Sequence, residues 1–547
     1  MTQGRIDLNY PKSAIRRSWR FFRFWTYWFN GQTTRAMASL IFSDETFGLV
    51  AKALKRSLAP SVNLAPLSPW TRLVEYPEPS PPAPEEVTFI SLPSKVEVAD
   101  LERLHSALIH SDSLWTFVST EGSDWTDVQR AAAIALTRGE DFDLLYTDEL
   151  YTSELLPTLR PHRIGPHTLL SGNAIGRHYL LSNSAAQSVG GLRTTHGTAT
   201  EFDLFLRLAE VGSRFGHYEF LINTPAPDIA PSELLEVTKA SLTRRGFQSL
   251  QSEGTVAGVV NWAVYSLEPV SVEILIPTRD RVDLLRQCIE QIERTSTYSH
   301  FSITILNNDS VDPETLEYLA TTTHRVIDCP GEFNYARIVN HGAQQSHADF
   351  LVMLNNDTLI KTSNWLELLL GAALLDDVGV VGAKIMDQNN SIEHSGIAIA
   401  PYPQHIRYGV NVPASWNDFA GIRNVSAVTG ALHMISKAKW VELGGMDEDL
   451  AVLLNDVDLC MRAELKGWHT VVQPAVTVQH FVSSSRGRLN PKLDRERFIA
   501  HWDIFRGYED RYFPAAASLY ANRLVLNAKT SQLLRWSEVL KALFSRG

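Results

Sequence analysis

Cysteine is scarce in this sequence, with three among 547 residues: Cys288, Cys329 and Cys460. They form no C-x-x-C pair and one is left over from any pairing, so neither a disulfide framework nor a cysteine-built zinc site is expected. Such usage suits a reducing, cytoplasmic setting. Long apolar runs are missing too: no stretch reaches the roughly 18 residues of a membrane-spanning helix. No cleavable signal peptide is expected at the start. Positive charge is not in excess. With 50 Lys and Arg against 61 Asp and Glu, the formal net charge is −11, which argues against a nucleic-acid partner. The turn 277–280, Pro-Thr-Arg-Asp, contains no glycine. A nucleotidyltransferase would carry a Gly-rich, basic phosphate loop there, so that class is disfavoured.

Hydrophobic residues make up 44% of the chain, enough for full-sized cores, and the length predicts two or three domains. Residues 1–75 read as a helical N-terminal arm. Its stretch 13–30, SAIRRSWRFFRFWTYWFN, puts Arg16, Arg20 and Arg23 on one narrow helical face, with Trp19, Phe21, Phe22, Trp25, Trp28 and Phe29 spread over the rest. A basic, aromatic-rich helix of this kind suits peripheral contact with a membrane surface; packing against its own protein is the competing reading. Residues 76–85, YPEPSPPAPE, hold five prolines in ten positions and predict a stiff linker. Residues 515–547 are expected to form a helical tail.

From residue 268 to 514 the pattern is α/β. The runs 272–276, 303–306 and 350–354 read as buried strands, and 282–294 and 365–375 as helices. Alternating strands and helices imply a mostly parallel sheet, whose ligands bind at the carboxyl ends of the strands. The polar clusters at 278–280, 307–309 and 355–357 fall there. Residues 86–267 read as a degenerate copy of the same domain. AIGRHYLLS (174–182) aligns without gaps on VTGALHMIS (428–436), each followed by a Gly-Gly pair, and EFDLFLR (201–207) aligns on DVDLCMR (456–462). The run 114–125 echoes 350–365 and sets Glu121 opposite Asp357. The copy offers no clear counterpart of 272–309 and no histidine matching His480.

Three clusters carry candidate chemistry. Asn355-Asn356-Asp357 follows a buried strand, and a carboxylate there suits a hard divalent cation bridging diphosphate oxygens. Asn455-Asp456-Val457-Asp458 opens a predicted helix with Asn455 as its N-cap. The positive helix end favours an ionised Asp456, as a general base requires, whereas Asp458 and Arg462 read as a structural i,i+4 pair. His480, just past a predicted strand at 476–478, is positioned to complete a metal site begun by Asp357, and Arg486 to hold phosphate oxygens. Each cluster also has a bland reading as turn former, helix-dipole partner or ordinary histidine.

Their order is more telling. Phe333-Asn334-Tyr335, Leu354-Asn355-Asn356-Asp357, the run NVSAVTG (424–430) and Asn455-Asp456-Val457-Asp458-Leu459-Cys460 together resemble the inverting glycosyltransferases of family 2, which have the GT-A (Rossmann-like) fold. The resemblance covers about 270–514 and points to tandem-domain, rhamnosyltransferase-like members that build O-antigen and other bacterial surface polysaccharides. It implies a sugar transferred from a nucleotide-diphosphate donor, with Mg²⁺ or Mn²⁺, to a glycan or lipid-linked glycan acceptor at the cytoplasmic face of the membrane. It implies Asp456 as the base and Asp357 with His480 at the metal. Pro277, Thr278, Asp280, Asn307, Asn355, Asn356 and Arg486 fall at the donor, and Thr429 and Gly430 near sugar and acceptor. Asn307 stands where the family usually has Asp, Asn355 where the metal motif usually begins with Asp, and Phe481-Val482 where relatives often have His-Glu. A non-catalytic glycan-binding or scaffold protein of a polysaccharide assembly system is the alternative reading.

Overall fold

The computed structural model describes residues 87–123, 142–151, 163–225, 229–247, 269–399, 421–481 and 491–502 in continuous stretches. Short pieces at 158, 160–161, 255–256, 259–260, 262–264, 403–406, 510–513, 517–520 and 523–526 complete it. The N-terminal arm, the Pro-rich linker and Arg486 lie outside the described residues. Among these residues no helix is long and apolar enough to cross a membrane.

The first described domain contains β1 (Val87–Leu92), α1 (Val98–His110), β2 (Trp115–Thr120), β3 (Leu144–Tyr151), α2 (Pro166–Ser171), β4 (Tyr179–Ser182), α3 (Asn183–Ser188), α4 (Thr200–Glu210) and β5 (Phe215–Thr224). Its sheet runs in the order β1-β2-β4-β3-β5. The second domain contains β6 (Val272–Thr278), α5 (Val282–Thr295), β7 (Phe301–Asn307), β8 (Arg325–Asp328), β9 (Phe350–Leu354), β10 (Thr358–Ile360), α6 (Trp365–Ala373) and β11 (Val378–Met386). It continues through β12 (Arg423–Asn424), β13 (Leu432–Ser436), α7 (Lys437–Leu443), α8 (Asn455–Leu465) and β14 (His469–His480). Its main sheet runs β8-β7-β6-β9-β13-β11-β14-β10, with β12 pairing β14.

Local chemistry explains these elements. In β6 and β9 nearly every residue is buried, as a central strand covered on both faces requires. Leu285, Ile289 and Ile292 recur at helical spacing and bury one face of α5. At the start of α7, Ser436 accepts a hydrogen bond from the Lys439 amide, and the helix closes at Gly444, which adopts φ 76°.

The two sheets share five strands in the same order and the same directions. β1 is parallel to β2 as β6 is to β9; β4 runs antiparallel to both its neighbours, as β13 does; and β3 is parallel to β5 as β11 is to β14. Both parallel pairs at the far side carry a register shift at the same place, between Thr147 and Asp148 and between Ala383 and Lys384. The helix after the Gly-Gly pair is anchored identically. Arg207 binds Asp203 and the carbonyls of Val189 and Gly191, while Arg462 binds Asp458 and the carbonyls of Leu443 and Gly445.

This symmetry revises three expectations. β1 is a counterpart of β6, so the first domain does possess the opening strand; among the described residues its sheet has no counterparts of β7 and β8 beyond that strand. Trp115 and Phe350 face the equivalent residues Ser182 and Ser436, which sets Gly122, not Glu121, opposite Asp357. The tail expected to be helical begins with a hairpin, Ala517–Tyr520 against Arg523–Leu526; its remainder lies outside the described residues.

The first domain fills the space that the second leaves open. Tyr146 faces Tyr179 as Gly382 faces His433, so Glu149, three residues on, corresponds to Ile385. Glu149 is fully buried and binds Arg160 at 2.8 Å. A Cβ on Gly176 would lie 2.5 Å from Arg160 Nη2, whereas on the equivalent Gly430 it would be 3.6 Å from its nearest neighbours. Burial pushes the Glu149 carboxyl up, but the charge of Arg160, that of His178 and the hydrogen bonds from the Arg177 amide and Arg160 together outweigh it, so its pKa is lowered. Glu149→Leu therefore leaves a guanidinium buried without its counter-charge. It should destabilise the protein by roughly 3–5 kcal/mol, measured by urea unfolding; a loss within about 0.5 kcal/mol, as at an uninvolved surface site, would show that the pair is not held in low dielectric.

Candidate active site

The carboxyl ends of β6 and β9 lie side by side because the strands are parallel, Phe350 facing Val272. Thr278 ends β6 and Asn355, Asn356 and Asp357 follow β9. Asn356 donates to the Thr278 hydroxyl at 3.1 Å and ties the two ends together. They form one wall of a cleft of about 770 Å³, which is also lined by Pro277, Thr429, Gly430, Asp456 and His480.

Register brings the histidine in. β14 extends further than its sequence suggests and ends at His480, which faces Thr358 in the antiparallel pair with β10. Asp357 is therefore beside it: Oδ1 lies 3.2 Å from His480 Nε2, and the Phe481 amide donates to the Asp357 carbonyl at 2.8 Å. On the other ring nitrogen Glu393 stands 3.3 Å from Nδ1. Burial pushes His480 down, but hydrogen bonds to Asp357 and Glu393 outweigh it and raise its pKa to about 9. Glu393 had no signal in the sequence, since the strand that carries it, Ile392–His394, is too short to show a periodic pattern.

Asp456 stands across the cleft in the first turn of α8. Asn455 is not the N-cap, contrary to expectation. Leu454 takes that place with φ 65°, and Asn455 is the first helical residue, its side-chain Nδ2 donating to the Leu450 carbonyl. The Asp456 carboxylate is fixed by two backbone N–H groups, Gly430 on Oδ2 at 2.7 Å and Val457 on Oδ1 at 2.8 Å. Tyr335 donates to the Gly430 carbonyl at 2.9 Å; its pKa is raised by burial and by Asp456. Asp458 plays the structural part expected of it, with Arg462 at 2.7 Å and Trp502 donating at 3.0 Å.

Two expected donor contacts are committed elsewhere. Asp280 accepts from the Val311 and Asp312 amides at 2.7 and 2.8 Å, closing the loop after β7 onto the loop after β6. Asn307 accepts from the Ser310 amide at 3.1 Å and donates to Asp328 at 2.8 Å. Neither lines the cleft; Arg279, Arg281 and Asn308 do. Asp280 and Arg281 both adopt φ 54°, and Asp309 φ 51°. Left-handed backbone at non-glycine residues costs on the order of 1–3 kcal/mol each and is typical of loops shaped for binding.

These features accord with the sequence comparisons. Residues 273–425 match the family model described as glycosyl transferase family 2. Over that stretch the chain is similar to the family 2 glycosyltransferases. It is 27% identical over 432 residues to the O-antigen biosynthesis protein RfbC of Myxococcus xanthus, covering 74% of this chain and 33% of that protein. It is also 27% identical over 360 residues to the protein y4gI of Sinorhizobium fredii, covering 61% and 40%. The chain thus spans about a third to two fifths of the length of these relatives. Similar solved structures include GalNAc-T7 with UDP, GalNAc and Mn²⁺, at 14% identity and TM-score 0.36 over 43% of this chain and 50% of that one. Another is the mannosyltransferase PcManGT of Pyrobaculum calidifontis with GDP-Man and Mn²⁺, at 16% identity and TM-score 0.31 over 40% and 59%.

The raised pKa of His480 has a sign that can be checked. A histidine raised from about 6.5 to about 9 stabilises the fold fully below its unfolded value and loses that contribution as pH rises through the folded one. Chelator-treated protein should therefore lose stability between pH 6.5 and 9, seen as a falling urea midpoint. His480→Gln should flatten that slope; an unchanged slope would mean the imidazole is neutral throughout.

Proposed function

We propose that the second domain transfers a sugar, with inversion, from a nucleotide-diphosphate donor to a glycan acceptor, and that the acceptor is a lipid-linked glycan of a bacterial surface polysaccharide. The single observation that carries this reading is the pairing of Asp357 with His480 on one side of the cleft while Asp456 is held on the other. The family 2 domain and the O-antigen relative supply the reaction class.

A carboxylate oxygen and an imidazole nitrogen 3.2 Å apart suit Mg²⁺ or Mn²⁺. Among the described residues no three His, Cys, Asp or Glu side chains are arranged to hold one ion between them, Glu393 lying on the far ring nitrogen of His480. Asp357 and His480 would hold the ion, and diphosphate oxygens would complete its shell. When bound, the cation offsets the charge that develops on the departing diphosphate. Glu393, on Nδ1, orients the His480 ring. Asn355, Asn356 and Thr278 border the donor, and Arg279 adds a cation on the rim. Asp456 takes the proton of the acceptor hydroxyl as its oxygen bonds to the anomeric carbon; the bond from that carbon to the diphosphate oxygen breaks, and the nucleoside diphosphate leaves.

Calorimetry of the full chain against UDP-, GDP- and dTDP-sugars with Mn²⁺ tests donor binding. One nucleotide class should bind, and chelator or Asp357→Ala should abolish the heat. Binding that survives both would remove the cation from the site. For the base, Asp456→Asn should lower turnover by roughly 10²–10⁴-fold and leave donor affinity nearly unchanged. Near-normal turnover would assign the base elsewhere.

A further inference from the structure

Among its described residues the first domain carries no counterpart of the Asp357–His480 pair, and its equivalent space is filled by Arg160 and Glu149. One tie to the second domain lies at Asn424, beside the His167–Asp377 pair at 3.3 Å. Asn424 is 2% exposed and sits in β12 of the second domain. Its Oδ1 accepts from the amides of His167 and Thr168, at 3.0 and 3.1 Å, both in α2 of the first domain. The Asn424 amide in turn donates to the Thr168 hydroxyl at 2.9 Å. One turn further along α2, Ser171 donates to the Ile422 carbonyl at 2.7 Å. The approach is close enough that a Cβ on Gly165 would lie 2.1 Å from Asn424 Cγ.

The chain beyond Asn424 is held by backbone hydrogen bonds and packing as far as the cleft. The Val425 amide donates to the Thr470 carbonyl at 3.0 Å, and the Ile397 amide to the Ala427 carbonyl at 2.7 Å. Val428 is fully buried, packed so closely on β11 that a Cβ on Gly382 would meet it at 2.5 Å. Thr429 and Gly430 follow, and the Gly430 amide holds Asp456.

We propose that the first domain serves the second as a fixed anchor for β12, so that Asn424 is a positioning residue for the Gly430 amide and, through it, for the Asp456 carboxylate. The catalytic consequence rests on the function proposed above; the mechanical link does not. The side chain also says which substitution tolerates it. Asn424 Nδ2 is buried without a hydrogen-bond partner, so only the oxygen contributes to the link. Aspartate keeps that oxygen and removes the orphaned donor, whereas leucine keeps the bulk and loses the acceptor.

Hydrogen exchange of the full chain, read by mass spectrometry, tests this without any substrate. In Asn424→Leu the peptide covering 425–432 should exchange roughly tenfold faster or more, while peptides covering β6 and β9 keep their protection. Asn424→Asp should restore the original rate. If Asn424→Leu does not fold, Thr168→Val, which removes one of the bonds, should show the same local loss to a smaller degree. Unchanged protection of 425–432 in both variants would overturn the proposal. A uniform rise across the chain would also overturn it, in favour of a purely structural interface. Turnover of a nucleotide sugar, measured alongside, should fall in Asn424→Leu with donor affinity kept and recover in Asn424→Asp; normal turnover with faster local exchange would instead overturn the role given to Asp456.

Discussion

Strand β14 runs twelve residues from His469 to His480 and pairs with β11 along one edge, and with β12 and β10 at the two ends of the other. At one end it sets His480 beside Asp357. At the other it receives β12, which carries Asn424 and the contact with the first domain. The register shift within the strand, opposite Ala383 and Lys384, lets one strand satisfy both pairings. Such an irregularity bends the chain and re-aims the side chains beyond it. Without this ladder, Asp357 and His480 would be two polar residues 123 positions apart, and nothing local would bring them together.

The two domains show how one architecture supports two outcomes. Both keep the strand order, the shifted parallel pair and the Asp-Arg anchor on the helix after Gly-Gly, because these hold the backbone together. They differ where the second domain opens its cleft. Glu149 and Arg160 occupy the equivalent space in the first, and the hydroxyl of Tyr179 donates to Glu201, the counterpart of Asp456, at 2.6 Å. A carboxylate already hydrogen-bonded within a packed interior has no route to a substrate hydroxyl. The first domain therefore keeps the frame and lacks the open space.

Charge placement in the cleft follows from burial. Glu393 and Asp357 flank one largely buried imidazole, and their hydrogen bonds to it favour its protonated form. Asp456 is fixed differently, by backbone N–H groups whose directions are set by the turn at Gly430 and by the first turn of α8. The site thus combines a charge-coupled side with a backbone-fixed one, joined through β9 and β13.

Much of this was legible in the sequence. Buried β-branched and leucine runs marked β6, β7 and β9, helical spacing marked α5 and α6, and the paired motifs at 174–207 and 428–462 revealed the internal repeat, because periodicity and local alignment depend on neighbours in the chain. Motif order singled out Asp357, Asp456 and His480, and the fold brings all three to one cleft. What the sequence left open were properties set by register and packing. Leu454 rather than Asn455 caps α8 because the backbone there turns left-handed. Asp280 and Asn307 are spent on loop closure because their partners, Val311, Asp312 and Asp328, arrive from other segments. Glu393 carried no local signature, and Asn424 stood in the motif 424–430 without a role of its own, since each acts on an atom more than eighty residues away. Only the tertiary structure could decide them, because a hydrogen bond depends on distances and angles that no spacing along the chain specifies.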